Sequence, residues 1–196
     1  MSFQNGEVTA ANEGVLFSKL LQISAGWVYT SNREVIDLDP HPRLNALAEL
    51  LDESDTKVIV FVDFIHAAKE VFAWVTQKGY SAGFVTGETP KALRDQIFKD
   101  FQFGVTPRVL VAHPKCMSHG LTLTAASTIV WYTPTTSLET YEQACARITR
   151  PGQKEKQLIA HLTGSKVEAK LYKRLQQKAS LQGALLEMFE EKEMQA

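Results

Sequence analysis

The sequence is poor in cysteine. Only Cys116 and Cys145 occur in 196 residues. They are far apart and carry no C-x-x-C or Cys/His spacing, which excludes the disulfide framework of small secreted domains and argues against a structural zinc site. Each reads as a buried thiol. No apolar stretch approaches the ~20 residues needed to cross a bilayer. The N-terminal run MSFQNGEVTAANEG has neither the basic nor the apolar region of a signal peptide. The expected setting is reducing cytosol, with no membrane partner. An excess of charge is also missing. Lys and Arg number 21 against 22 Asp and Glu, for a net charge of -1. Composition therefore shows no footprint of nucleic-acid binding, and any anion-binding surface must be local. There is no G-x-x-x-x-G-K-[ST] loop and no G-x-G-x-x-G, no internal repeat and no low-complexity tract.

What is present suits one domain, since 44% of the residues are hydrophobic and 22% charged, close to globular averages. Thr9 to Leu21 reads as a helix, Gly26 to Asp39 as an extended link, and Arg43 to Leu51 as a second helix with leucines at helical spacing. Val58 to Val62 is a continuous apolar run, as in a strand buried on both faces. Further strands are expected at 81–85, 108–112, 128–132 and 157–163, with helices at 67–77, 90–101, 138–149 and from 166 onward. Strands alternating with helices predict an α/β fold, a parallel sheet of about five strands covered on both faces. Residues 1–55 read as an appendage on a core of 56–196. Asp52-Glu53-Ser54-Asp55 spells D-E-x-D, a magnesium-binding pattern elsewhere, but helical spacing precedes it, so it reads as a helix end. Thr163-Gly164-Ser165-Lys166 reads as a helix start.

Ligands of such sheets gather at the carboxyl ends of the strands. Residues 64–66, 113–123 and 133–138 fall there. Two segments stand out chemically. In the first, Gln143, Arg147 and Arg150 at i, i+4 and i+7 place a carboxamide and two guanidiniums on one expected helix face, with Ala144, Cys145 and Ile148 opposite. Pro151 disfavours helix at Arg150 and puts it on the last turn. Two arginines on a rigid edge suit phosphate oxygens. The second segment, His113 to Leu123, follows a strand. His113 and His119 have no acidic companion in this loop, so polar contacts to a phosphate backbone are expected rather than a metal site.

Together the segments resemble the C-terminal RecA-like lobe of superfamily 2 helicases, and specifically of Snf-type DNA translocases. Lys57 to Phe64 is similar to motif IV. Gly87, Arg94 and Phe101 stand in the following G…R-x-x-x-x-x-x-F stretch. Val109 to Pro134 is similar to motif V, and Gln143 to Gln153 matches Q-x-x-x-R-x-x-R-x-G-Q, motif VI. The leading segment, 16–51, also resembles the start of this lobe in compact phage and bacterial proteins, which implies a bacterial or phage-infected cytoplasm. There are departures. Met117-Ser118 replaces a pair of glycines, Thr122 a common asparagine, and Ala146, Thr149 and Pro151 replace Asp, His and Ile.

The resemblance implies a motor split between two lobes. ATP and Mg2+ would be held mainly by an N-terminal RecA-like lobe. Arg147 and Arg150 would be catalytic, with Gln143, Gly120, Thr122 and Gly152 lining the ATP side. Phe64, Thr86, Gly87, His113, Lys115, Ser118 and His119 would grip DNA. The alternative is a non-catalytic DNA- or protein-binding module built on the same lobe.

Overall fold

The computed structural model describes residues 2–3, 6–7, 13–32, 34–117, 121–151 and 153–178. Its centre is a five-stranded parallel sheet in the order β6-β7-β5-β8-β9. The strands are β5 (Lys57–Phe61), β6 (Ala82–Val85), β7 (Val109–Ala112), β8 (Ala126–Trp131) and β9 (Leu158–His161). The central strand β5 alternates between two cores, as the period of two in a strand requires. Ile59 and Phe61 face one core, while Val58, Val60 and Val62 face the other. All five residues are fully buried. This explains the unbroken apolar run, because both faces are covered.

On the first face lie α1 (Glu13–Ser24), α4 (Lys91–Phe103), α5 (Leu138–Cys145) and α6 (Lys166–Gln176), which supply Phe17, Leu21, Phe98, Phe101, Ala144, Leu171 and Leu175 to its core. On the second lie α2 (His41–Glu53) and α3 (Ile65–Gln77). Leu47 and Leu51 of α2 are completely buried there, each a contribution of roughly 1.5–3 kcal/mol. Arg108 donates from Nη2 to the Leu51 and Ser54 carbonyls, both at 2.7 Å, and so closes the end of α2. Lys57 does the same for α4, reaching the Phe101 and Gly104 carbonyls at 2.7 Å each. The D-E-x-D run does end α2 and lead into β5. Ser165 is the N-cap of α6, accepting from the Glu168 N–H.

The link expected between the first two helices is instead an antiparallel hairpin, β3 (Trp27–Tyr29) with β4 (Val35–Asp37). A further short pair, β1 (Ser2–Phe3) with β2 (Gly6–Glu7), precedes α1. Gly26 opens the β3–β4 hairpin with φ of +95°, and a Cβ there would lie 2.7 Å from Pro40. Only glycine meets both demands. The hairpin packs on the start of α3, with Trp27 edge-on to His66 at 5.9 Å.

A second difference decides the geometry of the site. The helix expected over 138–149 stops at Cys145. The Arg147 N–H bonds back only three residues, to the Ala144 carbonyl. The Arg147 carbonyl is taken by the Leu123 N–H at 3.1 Å. A partner across the fold thus replaces the next helical bond.

Candidate functional site

The parallel register brings five loops to one edge. Phe61 lies opposite Ala112 and Trp131, Val85 opposite Ala112, and Trp131 opposite His161. Asp63, Thr86, His113, Thr133 and Leu162 therefore follow on the same rim. Phe64 is half-buried and packs against both cores. Thr86 is buried, and its hydroxyl accepts from the Glu88 N–H at 3.3 Å. Gly87 beside it is exposed. Residues 114–117 form a single 3-10 turn that carries the exposed Lys115. Ser118, His119, Gly120 and Gly152 lie outside the described residues.

Residues 121–125 cross the first face of the sheet to reach β8. Gln102 of α4 fastens the crossing on one side, accepting from the Ala125 N–H and donating to Thr124 Oγ1. Arg147 fastens it on the other. Its guanidinium is buried and donates from Nη1 to the Leu121 carbonyl at 3.3 Å, while Nε has no partner among the described residues. Burial, and secondly the Arg150 charge, hold its pKa below the usual arginine value. Because α5 ends at Cys145, the arginines do not share a helix face, contrary to the spacing argument. Arg147 turns inward, and Arg150 sits half-exposed on the following turn. Gln143 donates to Glu139 Oε1 at 2.8 Å, along its own helix. Thr122 is exposed.

Gln153 closes the arrangement. Its Nε2 donates to the Ala126 carbonyl at 2.8 Å and to the Thr124 carbonyl at 3.3 Å, tying the arginine turn to the start of β8. The half-exposed Arg150 is the donor that fits a phosphate group, while the orphaned Arg147 N–H beside it is shut away from solvent. Among the described residues no three His, Cys, Asp or Glu side chains are gathered together.

Asp63 is the site residue that motif reasoning missed. The signal was a carboxylate at the end of a wholly apolar strand, VIVFVD. Its backbone N–H donates to Thr133 Oγ1 at 2.7 Å. Its Oδ1 is buried without a hydrogen bond, 3.6 Å from His113 Nε2. Burial lifts the Asp63 carboxyl to about 7, against the pull of the Lys115 charge. Burial, and then Lys115, hold the His113 imidazole below its usual value. The close approach is therefore not an ion pair at neutral pH.

A stability signature follows. Unfolded Asp63 ionises near the ordinary 3.8, and folded Asp63 near 7. Its contribution is thus fully present at low pH and is lost as pH rises through about 7. Asp63→Asn is expected to gain on the order of 4 kcal/mol over wild type at pH above this window, and nothing near the lower end. Urea unfolding at both ends would show it. An equal effect at both would refute the assignment.

Comparison with known proteins bears on the family and the fold. The description "Helicase conserved C-terminal domain" matches residues 42–152. The DNA repair and recombination protein RAD54B of Gallus gallus is 29% identical over 147 residues, covering 74% of this chain and 16% of that protein. The pre-mRNA-processing ATP-dependent RNA helicase PRP5 of Mycosarcoma maydis is 29% identical over 149 residues, 71% of this chain and 13% of that protein. Among solved structures, the C-terminal domain of the DEAD-box protein Dbp5 superposes with a TM-score of 0.60 at 20% identity, covering 70% of this chain and 78% of that one. The C-terminal part of the Fun30 ATPase domain also gives 0.60 at 20% identity, over 67% and 44%. The chain thus spans only a small part of the curated relatives it matches. A parallel sheet with its arginine turn bonded to the strand-crossing segment, matched over more than half its length, places the chain in the helicase conserved C-terminal domain family.

Proposed function

We propose that this chain is the closing lobe of a two-lobe, ATP-dependent DNA motor of the Snf type. The observation that carries the reading is the arginine turn. Arg147 and Gln153 lock it to residues 121–126, and Arg150 is left accessible on that rigid support. ATP, when bound by a facing N-terminal lobe with Mg2+, supplies the phosphoryl group to be transferred. Arg150 reaches that group across the cleft and stabilises its developing charge. Arg147 is the positioning residue, holding the 121–123 segment against the same turn. Gln143 and Thr122 flank the ATP side.

Gly87, His113 and Lys115 lie on the adjacent rim, where the strand ends meet. They hold the DNA backbone by its phosphates without reading sequence. One segment therefore runs from the grip to the cleft, so closure at one end moves the other. The ordered Snf-type motifs support DNA over RNA, whereas RAD54B and the RNA helicase PRP5 match this chain at the same identity and to nearly the same extent. The same lobe in a non-catalytic binding module is the competing reading, favoured by the inward, buried Arg147.

The test compares this chain alone with the protein completed by its N-terminal lobe, assaying ATP hydrolysis with DNA and with RNA. Only the completed protein is expected to turn over, and duplex DNA is expected to stimulate it most. Turnover by this chain alone, or none by the completed protein, would overturn the motor reading. Stronger stimulation by RNA would overturn the DNA assignment.

A further inference from the structure

We propose that the outer face of α6 is a second nucleic-acid contact, a stripe of Lys166, Lys170 and Lys173 that takes the phosphate backbone independently of the 113–123 loop. The inference begins with charge. Between Arg150 and Lys178 there are eight Lys or Arg and two acidic residues, a net of +6, whereas the rest of a chain of net charge -1 carries -7. The overall balance hides this segregation.

The fold then sharpens it. Leu171, Tyr172 and Leu175 are buried against the first core and fix the rotation of α6. Lys166, Lys170 and Lys173, at i, i+4 and i+7, share the other face over ~10 Å of helix axis. Lys166 and Lys173 are exposed, and Lys170 between them is half-buried. The only acid in α6 is Glu168, and it is completely buried. Its oxygens are spent on Arg43 and on the Gly164 N–H, so no carboxylate of α6 itself offsets the stripe. On the neighbouring helix, Glu142 is already paired with Lys178 at 3.1 Å.

Helix stability does not account for the pattern. Lys173 and Arg174 in the last turn suit the helix dipole, but Lys166 stands in the first turn, where a cation is disfavoured by ~0.3–1 kcal/mol. The stripe also lies apart from the rim grip. It follows β9, at one edge of the sheet, whereas Gly87, His113 and Lys115 follow β6 and β7 at the opposite edge. Lysines on such a face act as point charges for phosphates and do not read bases. About 10 Å of duplex presents roughly six phosphate charges, enough for all three lysines.

The experiment uses the full chain, a labelled duplex of about 20 bp and an RNA strand of like length, titrated across a salt series. The triple variant K166Q/K170Q/K173Q is expected to flatten the salt slope by about 2–3 and to weaken low-salt affinity by tenfold or more. Its fold should be retained by circular dichroism, and the K166R/K170R/K173R variant should bind like wild type. Lys115→Ala is expected to remove about one from the slope by itself. Failure of that variant would count against the rim grip and leave α6 untouched. An unchanged slope in the triple Gln variant would assign the stripe elsewhere, for example to an acidic protein surface, and overturn the proposal. Salt-independent binding by wild type would overturn it too.

Discussion

Arg150→Ala in the completed two-lobe protein is expected to cut DNA-stimulated ATP hydrolysis by ~10³–10⁵ while leaving DNA affinity nearly unchanged. The size reflects what the side chain does. Charge that develops on a transferred phosphoryl group meets a fixed guanidinium in a site from which closure expels water, so little reorganisation is needed. The fixing comes from around Arg150. Gln153 donates to the start of β8, its N–H bonds the Arg150 carbonyl, and the Arg147 carbonyl is held by Leu123. Arg150→Lys should rescue poorly, because a single ammonium cannot reproduce the planar two-pronged contact. Arg147→Ala should behave differently. It frees the Leu121 carbonyl and leaves a buried void beside residues 121–123, so both turnover and stability should fall. Wild-type turnover in Arg150→Ala would sink the finger assignment. Equal stability of the Arg147 and Arg150 variants would sink the division of labour.

The second large effect concerns the buried ion pair between α2 and α6. Arg43 Nη2 meets both oxygens of Glu168, at 2.8 and 2.6 Å. Its Nη1 donates to the Tyr132 carbonyl and, at 3.2 Å, to the Leu162 carbonyl. The guanidinium also lies 5.5 Å from the centre of the Tyr132 ring. The Arg43 and Glu168 side chains are only 7% and 0% exposed. Breaking such a pair leaves one buried charge unpaired. Arg43→Ala is therefore expected to cost about 3–5 kcal/mol in urea unfolding. Removing both charges with Arg43→Met and Glu168→Leu should recover part of that loss. The recovery should be incomplete, since the Gly164 N–H also depends on Glu168. A loss below about 1 kcal/mol for Arg43→Ala would show that the pair is not isolated from water.

Much of the fold was legible because its strands are buried on both faces. Lys57–Phe61 and Ala126–Trp131 could be placed to within a few residues from uninterrupted Val, Ile and aromatic runs. The β3–β4 hairpin was not legible, since Trp27, Val28 and Tyr29 pair with residues beyond a turn that carries no two-residue hairpin signature. The end of α5 was misplaced for a different reason. Nothing local stops a helix at Cys145, and Leu123, far away in sequence, takes the carbonyl that the next turn would need. Asp63 went unnoticed because its surroundings come from three separate strands.

Residue order by itself determined the alternation of strand and helix, the loops that follow the strands, and the family to which Gln143–Gln153 and its partner motifs belong. These depend on periodicity and on motif spacing, which are local. Tertiary structure alone decided which arginine faces solvent, where the helix before it ends, and which charges vanish into the core. Arg43 and Glu168 look like surface residues in the sequence and are buried together, whereas Lys166, Lys170 and Lys173 become a continuous stripe. Burial and pairing are properties of chain segments far apart in sequence, and only packing brings those segments into contact.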